Sequence, residues 1–354
     1  MQLGAEMIER AGWLVPASYG DTLHEYHAVR EGAAGLHDLS PRGRIRVSGS
    51  EAVPFLNGLI TNDMKTLGEN CWMPAVFPNV QGRLIAAVRV IRVDDKQRGP
   101  TFIIDTEPET HARVLQIIER YTLAGDFHVT DLTTDTALLS LQGKQATELL
   151  SRTFDVEVDT TSDGVKAIES NDTEILAIRA THTGEDGLDL LVESGRAVRV
   201  WQALIGAGAE SVGFNALEIL RIEAGIPRYG VDIDETLVVS ETNLDDAVSF
   251  TKGCYVGQEI IARIKYRGHV AKKITGVIFN EKIDLSPSTA IHSSDDKEIG
   301  RLTSITYSPK LRSTVALALL KYQYLTAGTV VTVAADGKKL DGRVTDLPFV
   351  KGSW

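Results

Sequence analysis

The stretch Arg44-Ile45-Arg46-Val47-Ser48 alternates polar and apolar side chains, the period of a strand with one buried face. A longer run at residues 83–93, Arg-Leu-Ile-Ala-Ala-Val-Arg-Val-Ile-Arg-Val, predicts a long strand. It is entered from a Pro78-Asn79-Val80-Gln81-Gly82 turn and left at Asp94-Asp95. Elsewhere the apolar positions recur with helical spacing. Residues 21–31 predict a helix closed by Gly32. Residues 52–60 predict another, with Ser50 as its N-cap. Residues 108–121 form a third, and 216–224 a fourth that ends at Gly225-Ile226-Pro227. A further set of strands and helices runs from residue 137 to about 213.

The pattern changes near residue 271. Short alternating segments at 274–279, 316–320 and 329–333 predict strands, and Asp336-Gly337 has the composition of a tight hairpin turn. The expected architecture is an α+β body over residues 1–270 followed by a small β-barrel domain over 271–354.

Composition narrows the classes. The 354 residues are 43% hydrophobic and 24% charged, an ordinary balance for a globular chain with a real core. A net charge of −11 argues against a bulk nucleic-acid or membrane binder. The first residues lack the apolar core of a secretory signal, and apolar runs such as 315–320 are far shorter than a membrane span. Cys71 and Cys254 are the only cysteines, too few for a disulfide framework, so a cytoplasmic location is expected.

Two attractive patterns carry no chemistry. Gly206-Ala207-Gly208 follows a helical segment, whereas a dinucleotide loop needs strand, turn and helix. His24 and His27 are three apart, not the four of a zinc-binding helix, and no metal site is expected.

Three patterns do suggest a site. The first is Lys-Gly-Cys-Tyr-Val-Gly-Gln-Glu at 252–259, which leads into a helical segment. A thiol beside a lysine and a helix N-terminus is a candidate reactive group, so Cys254 is one reading and a packing thiol the other. Two cysteines cannot by themselves hold an iron–sulfur cluster, which takes about four ligands. The second pattern is charge: Lys252, Arg263, Lys265, Arg267, Lys272 and Lys273 face a single acid, Glu259, across residues 252–273, suiting an anionic ligand or a solvated basic face. The third is the acidic turn Thr183-Gly184-Glu185-Asp186-Gly187, whose carboxylate could accept paired N–H bonds from an aminopyrimidine-like edge.

Taken together with Asn243-Leu244-Asp245-Asp246-Ala247-Val248-Ser249-Phe250, Gly35-Leu36-His37-Asp38-Leu39-Ser40, Thr61-Asn62-Asp63 and Arg221-Ile222-Glu223-Ala224-Gly225-Ile226-Pro227, the 252–259 motif resembles the YgfZ-type folate-binding proteins, relatives of the glycine cleavage T-protein (aminomethyltransferase). The resemblance spans nearly the whole chain. It implies a three-lobed aminomethyltransferase/folate-binding fold with a C-terminal β-barrel, and a reduced folate such as tetrahydrofolate as cofactor. It further implies Glu185 at the pterin edge, with Arg221, Lys252 and Arg267 near the folate.

T-proteins place an acidic pair just after the glycine turn, whereas this chain has Ala86-Ala87 there, and a methyl group exchanges no proton. The resemblance therefore implies a folate-binding factor that supports iron–sulfur cluster assembly or repair in client enzymes, without transferase activity, and leaves enzymatic activity open. Its partners would be folate and iron–sulfur enzymes or assembly factors. A folate-dependent aminomethyltransferase is the second reading. An RNA-modification factor using the basic run is the third and least supported.

Overall fold

The computed structural model describes residues 4–95, 99–120, 125–158, 163–170, 172–335 and 337–354. Among the described residues, two large sheets, a two-stranded hairpin sheet at Glu6–Arg10 and Trp13–Ser18, and a closed barrel organise the chain.

The first sheet has five antiparallel strands in the order Trp72–Pro78, Leu84–Asp95, Gly99–Thr106, Gly43–Ser48 and His128–Asp131. Helices Ala52–Leu59 and Pro108–Arg120 cover one face. Ile45, Val47, Phe77, Ala86, Val88 and Phe102 bury that face against Leu56, Val114 and Ile118. Each large apolar side chain buried in this way contributes about 1.5–3 kcal/mol.

The second sheet runs Val165–Ser170, Thr173–Arg179, Gly187–Glu193, Thr136–Gln142, Gly35–Asp38 and Glu210–Ser211, with helices Ala146–Phe154 and Ala197–Gly206 packed on it. The chain leaves strand Gly35–Asp38 and enters the first sheet at Gly43–Ser48, so the two lobes are interwoven.

The uncovered faces of the two sheets meet. Ile91 and Ile103 from the first pack with Leu138, Ile178 and Leu191 from the second. The two-residue period of a strand then has a chemical consequence. Arg89 lies on the face of Ile91, Asp105 on that of Ile103, Asp189 on that of Leu191 and Ser140 on that of Leu138. The apolar seam therefore continues into a buried polar one.

The barrel closes through Lys272–Phe279, Ser313–Lys321, Glu298–Ser308, Ala290–His292, Val330–Ala335 and Lys338–Thr345 around Val277, Phe279, Leu302, Leu320 and Val331. Helix Phe214–Glu223 joins the parts. Ala216 and Leu220 pack on Tyr26 and Val29 of helix Thr22–Arg30, while Ile222 meets Val315 and Leu317 of the barrel.

Several expectations shift in detail. Ser50 does not cap the 52–59 helix: Glu51 holds the cap position without a side-chain bond, and Ser50 Oγ instead donates to Asp126 Oδ2 at 2.6 Å, a long-range partner that outcompetes the local cap. Barrel strands Ala290–His292, Glu298–Ser308 and Lys338–Thr345 escaped the pattern reading. Tyr121, placed at the end of the third helix, and Asp336 of the proposed hairpin lie outside the described residues.

Candidate active site

A cavity of about 160 Å³ opens where hairpin Glu6–Arg10/Trp13–Ser18, helix Phe214–Glu223 and the end of strand Gly35–Asp38 converge. Pockets that bury a whole drug-sized ligand measure about 300–1,000 Å³, so this one takes a ring-sized portion of a ligand. Its wall is apolar at Val15, Leu39, Val212 and Phe214, with His37, Asp38 and His182 facing it.

Behind that wall runs a chain of ion pairs. Arg42 Nε donates to Asp105 Oδ1 at 2.8 Å, and Arg42 also binds Glu107. Arg89 Nη2 lies 2.6 Å from Asp105 Oδ2 and 2.5 Å from Asp189 Oδ2. The other end of the chain is His182, whose Nε2 is 3.0 Å from Asp189 Oδ2. Asp189 is fully buried. Burial pushes its carboxyl up, but His182, Arg89 and a hydrogen bond with Ser140 outweigh that and hold it well below the usual carboxylate range. Asp105 behaves alike: burial raises it, and Arg42 and Arg89 bring it lower still.

His37 is 2% exposed. Burial, reinforced by the nearby His182, pulls it down to about 3, so it is neutral. One ring nitrogen bonds the Val212 backbone, and Nε2 has no partner. The Val212 N–H is already spent on Leu36, so its carbonyl accepts from His37 Nδ1, and Nε2 is left as a bare acceptor.

The turn that carries His182 is fixed by Gln142. Its Oε1 accepts from the His182 backbone N–H at 2.9 Å, and its Nε2 donates to Ala180 O at 3.0 Å.

The residues expected from sequence are scattered. Glu185 is 3% exposed and does not line the cavity. Its Oε1 accepts from Arg30 at 2.8 Å, and its Oε2 from Ser353 N at 2.9 Å and Oγ at 2.6 Å. With these oxygens engaged, Glu185 ties helix Thr22–Arg30 to the 347–354 segment. Arg221 does line the cavity, but its donors are spent on Glu218, Asp232, Ile226 O and Ser304.

Lys252 is buried elsewhere, its Nζ donating to the carbonyls of Asn57, Ile60 and Asn62 at 2.6–2.9 Å. Burial brings it down to about 8, against a smaller upward pull from Asp63. Arg267 is exposed in the last turn of helix Gln258–Arg267. Cys254 is exposed in the loop before that helix, where neighbouring Val256 lines a separate outer groove beside helix Pro108–Arg120. Ala86 is buried in the first core, and Ala87 sits with Tyr229, Leu244 and Leu347. His182, Asp189, Arg89, Asp105 and Arg42 were not singled out from sequence, and His37 entered only within the 35–40 motif, with no role assigned. The available signal was charge inside apolar strands, as in Ile-Ile-Asp105 and Leu-Asp189-Leu-Leu: such positions need a partner to be tolerated.

Two facing sheets that carry a histidine-bearing cavity, followed by a closed six-stranded barrel, define a mixed α/β body of the aminomethyltransferase fold. Residues 1–252 match the GCVT N-terminal domain and residues 272–351 the glycine cleavage T-protein C-terminal barrel domain, and the chain belongs to that family. It is 29% identical to an aminomethyltransferase of Thermotoga neapolitana, covering 99% of this chain and 95% of that one. It is 30% identical to an aminomethyltransferase of Bacillus pumilus, covering 98% and 95%. The crystal structure of glycine cleavage system aminomethyltransferase T from Bartonella henselae superposes with a TM-score of 0.91 at 24% identity, covering 100% of this chain and 96% of that one, a likeness of fold.

These full-length relatives overturn the expectation of a non-transferase factor for iron–sulfur clusters. The broader resemblance holds, while the YgfZ branch and its iron–sulfur partners find no support. Within the 252–259 motif, Lys252 is engaged in backbone contacts away from the cavity. Aminomethyltransferases of this family use tetrahydrofolate, in agreement with the expected reduced folate. Among the described residues no helix is long and apolar enough to cross a membrane.

Proposed function

We propose that this protein is a folate-dependent aminomethyltransferase, moving a one-carbon unit from an aminomethyl donor to tetrahydrofolate. The observation that carries this reading is the end-to-end match to relatives of that name, over 98–99% of this chain.

The cavity is compatible with the ring portion of a reduced folate. His37 Nε2 is an orphaned buried acceptor, suited to a ring N–H, and the apolar wall suits the ring faces. At the rim, Arg10 and Arg228 flank the Phe214 ring at 3.8 and 5.3 Å and would face the carboxylates of the folate tail. Arg221 would act through Glu218 and Asp232, holding helix Phe214–Glu223 against the 226–232 loop.

Calorimetric titration of tetrahydrofolate, followed by a transfer assay with an aminomethyl donor, tests the reading. Saturable binding with formation of methylene-bridged folate is expected. Binding without transfer, or no binding, would overturn it.

A further inference from the structure

We propose that His182, oriented by Asp189, is the acid–base group of this transfer. The assignment rests on the functional reading above and deepens it.

The acidic groups around the cavity are already engaged. Glu218 is paired with Arg221 and Arg228, Glu107 with Arg42, and Glu109 with Arg10. Asp38 accepts from the Ser40 N–H at 2.9 Å. His37 is neutral and, with Nδ1 bound to Val212, serves as a fixed acceptor. Ala86 and Ala87 carry no exchangeable proton. His182 is the cavity-lining imidazole backed by a carboxylate, and it keeps 20% of its side chain accessible.

Asp189 fixes the role of each ring nitrogen. Its buried carboxylate receives Nε2–H, which leaves Nδ1 to accept and return a proton. Asp189 is in turn held by Arg89, which with Asp105, Arg42 and Glu107 completes the chain of ion pairs behind the ring. Also lining the cavity with His182 are His37 and Asp38 of strand Gly35–Asp38, and the charged groups of Glu218, Arg221 and Arg228.

The reaction balances without an oxidant. A donor X–CH2–NH2 and the two N–H groups of tetrahydrofolate give a methylene bridge between those nitrogens, X–H and NH3. Two C–N bonds form, while one C–X and one C–N bond break. His182 Nδ1 takes the proton from each folate nitrogen in turn as that nitrogen bonds carbon, and passes one to departing X and the other to the departing amine.

The test uses the full-length chain with His182→Gln, His182→Gly and Asp189→Asn. For both His182 variants we expect kcat to fall about 100-fold or more, tetrahydrofolate affinity by calorimetry to stay within about threefold of wild type, and the acid limb of the kcat–pH profile to disappear. Added imidazole should restore part of the activity of His182→Gly. A readout independent of turnover is the nitrogen NMR spectrum of His182, expected as a single Nε2–H tautomer in the wild type and a mixture in Asp189→Asn. Wild-type transfer with unchanged kcat and pH profile in His182→Gln would overturn this assignment and leave the transferase reading standing. Parallel loss of folate affinity and activity without imidazole rescue would also overturn it, marking a structural role. A wild type that binds folate and transfers nothing would overturn the functional reading, and this assignment with it.

Discussion

Arg89 Nη2 lies 2.5 Å from Asp189 Oδ2, a contact that joins a strand of the first sheet to a strand of the second. The same guanidinium reaches Asp105, so one side chain bridges two buried carboxylates where the lobes meet. Deleting it leaves Asp105 to Arg42 and Asp189 to His182. Arg89→Met should destabilise the protein by about 3–5 kcal/mol, the cost of an uncompensated buried charge. Adding Asp105→Asn and Asp189→Asn should recover part of that loss. Urea unfolding of the single and triple variants checks both.

The same pair sets the response to acid. Asp105 and Asp189 sit below the ordinary carboxylate range in the folded state, so the unfolded chain binds more protons as pH falls past about 4. Their stabilisation is complete above that pH and is lost progressively below it. Unfolding free energy measured from pH 6 to pH 3 should fall, and Asp189→Asn should show a shallower slope. An equal slope in the variant would mean that the acid sensitivity resides elsewhere.

How far the site was legible in the sequence follows from how each residue is used. The strand at Leu84–Asp95, the helices flanking it and the change to a β tail were readable, because periodicity reports burial directly. Glu185 drew attention as an acid on a glycine turn, yet local composition could not reveal that Arg30 and Ser353, 155 and 168 residues away, engage both its oxygens. His182 and Asp189 lie seven residues apart on either side of that turn and meet only because Gly187–Glu193 pairs with Thr136–Gln142 and Gln142 holds the intervening backbone. Facing side chains from two sheets leave no spacing rule in one sequence.

Glu185 is therefore predicted to matter first for stability. Glu185→Ala leaves Arg30 with Glu223 alone and frees Ser353. A loss of about 3 kcal/mol is expected, as for a broken buried pair, against about 1 kcal/mol for Ser353→Ala, which removes a hydroxyl hydrogen bond. Thermal melts of the two variants give the ranking. A Glu185→Ala protein as stable as wild type would return Glu185 to consideration as a ligand contact.

Lys252 supplies a test with the same pH sign in a higher window. Its ammonium is drawn down to about 8 in the fold from an ordinary value near 10.5. Between those values the unfolded chain holds the extra proton, so the Lys252 contribution to stability should rise with pH across that window. Removing the side chain leaves the carbonyls of Asn57, Ile60 and Asn62 pointing at an empty space sized for a small cation. Lys252→Ala should lose about 2–4 kcal/mol, as buried acceptors are orphaned. Ammonium or potassium should return part of it, because a cation that binds only the folded state stabilises by mass action. Melting Lys252→Ala in ammonium chloride and in choline chloride at equal ionic strength separates the two cases. Equal melting temperatures would show that water satisfies the three carbonyls and that Lys252 fills space rather than bridging the exit of the Ala52–Leu59 helix to the 252–257 loop.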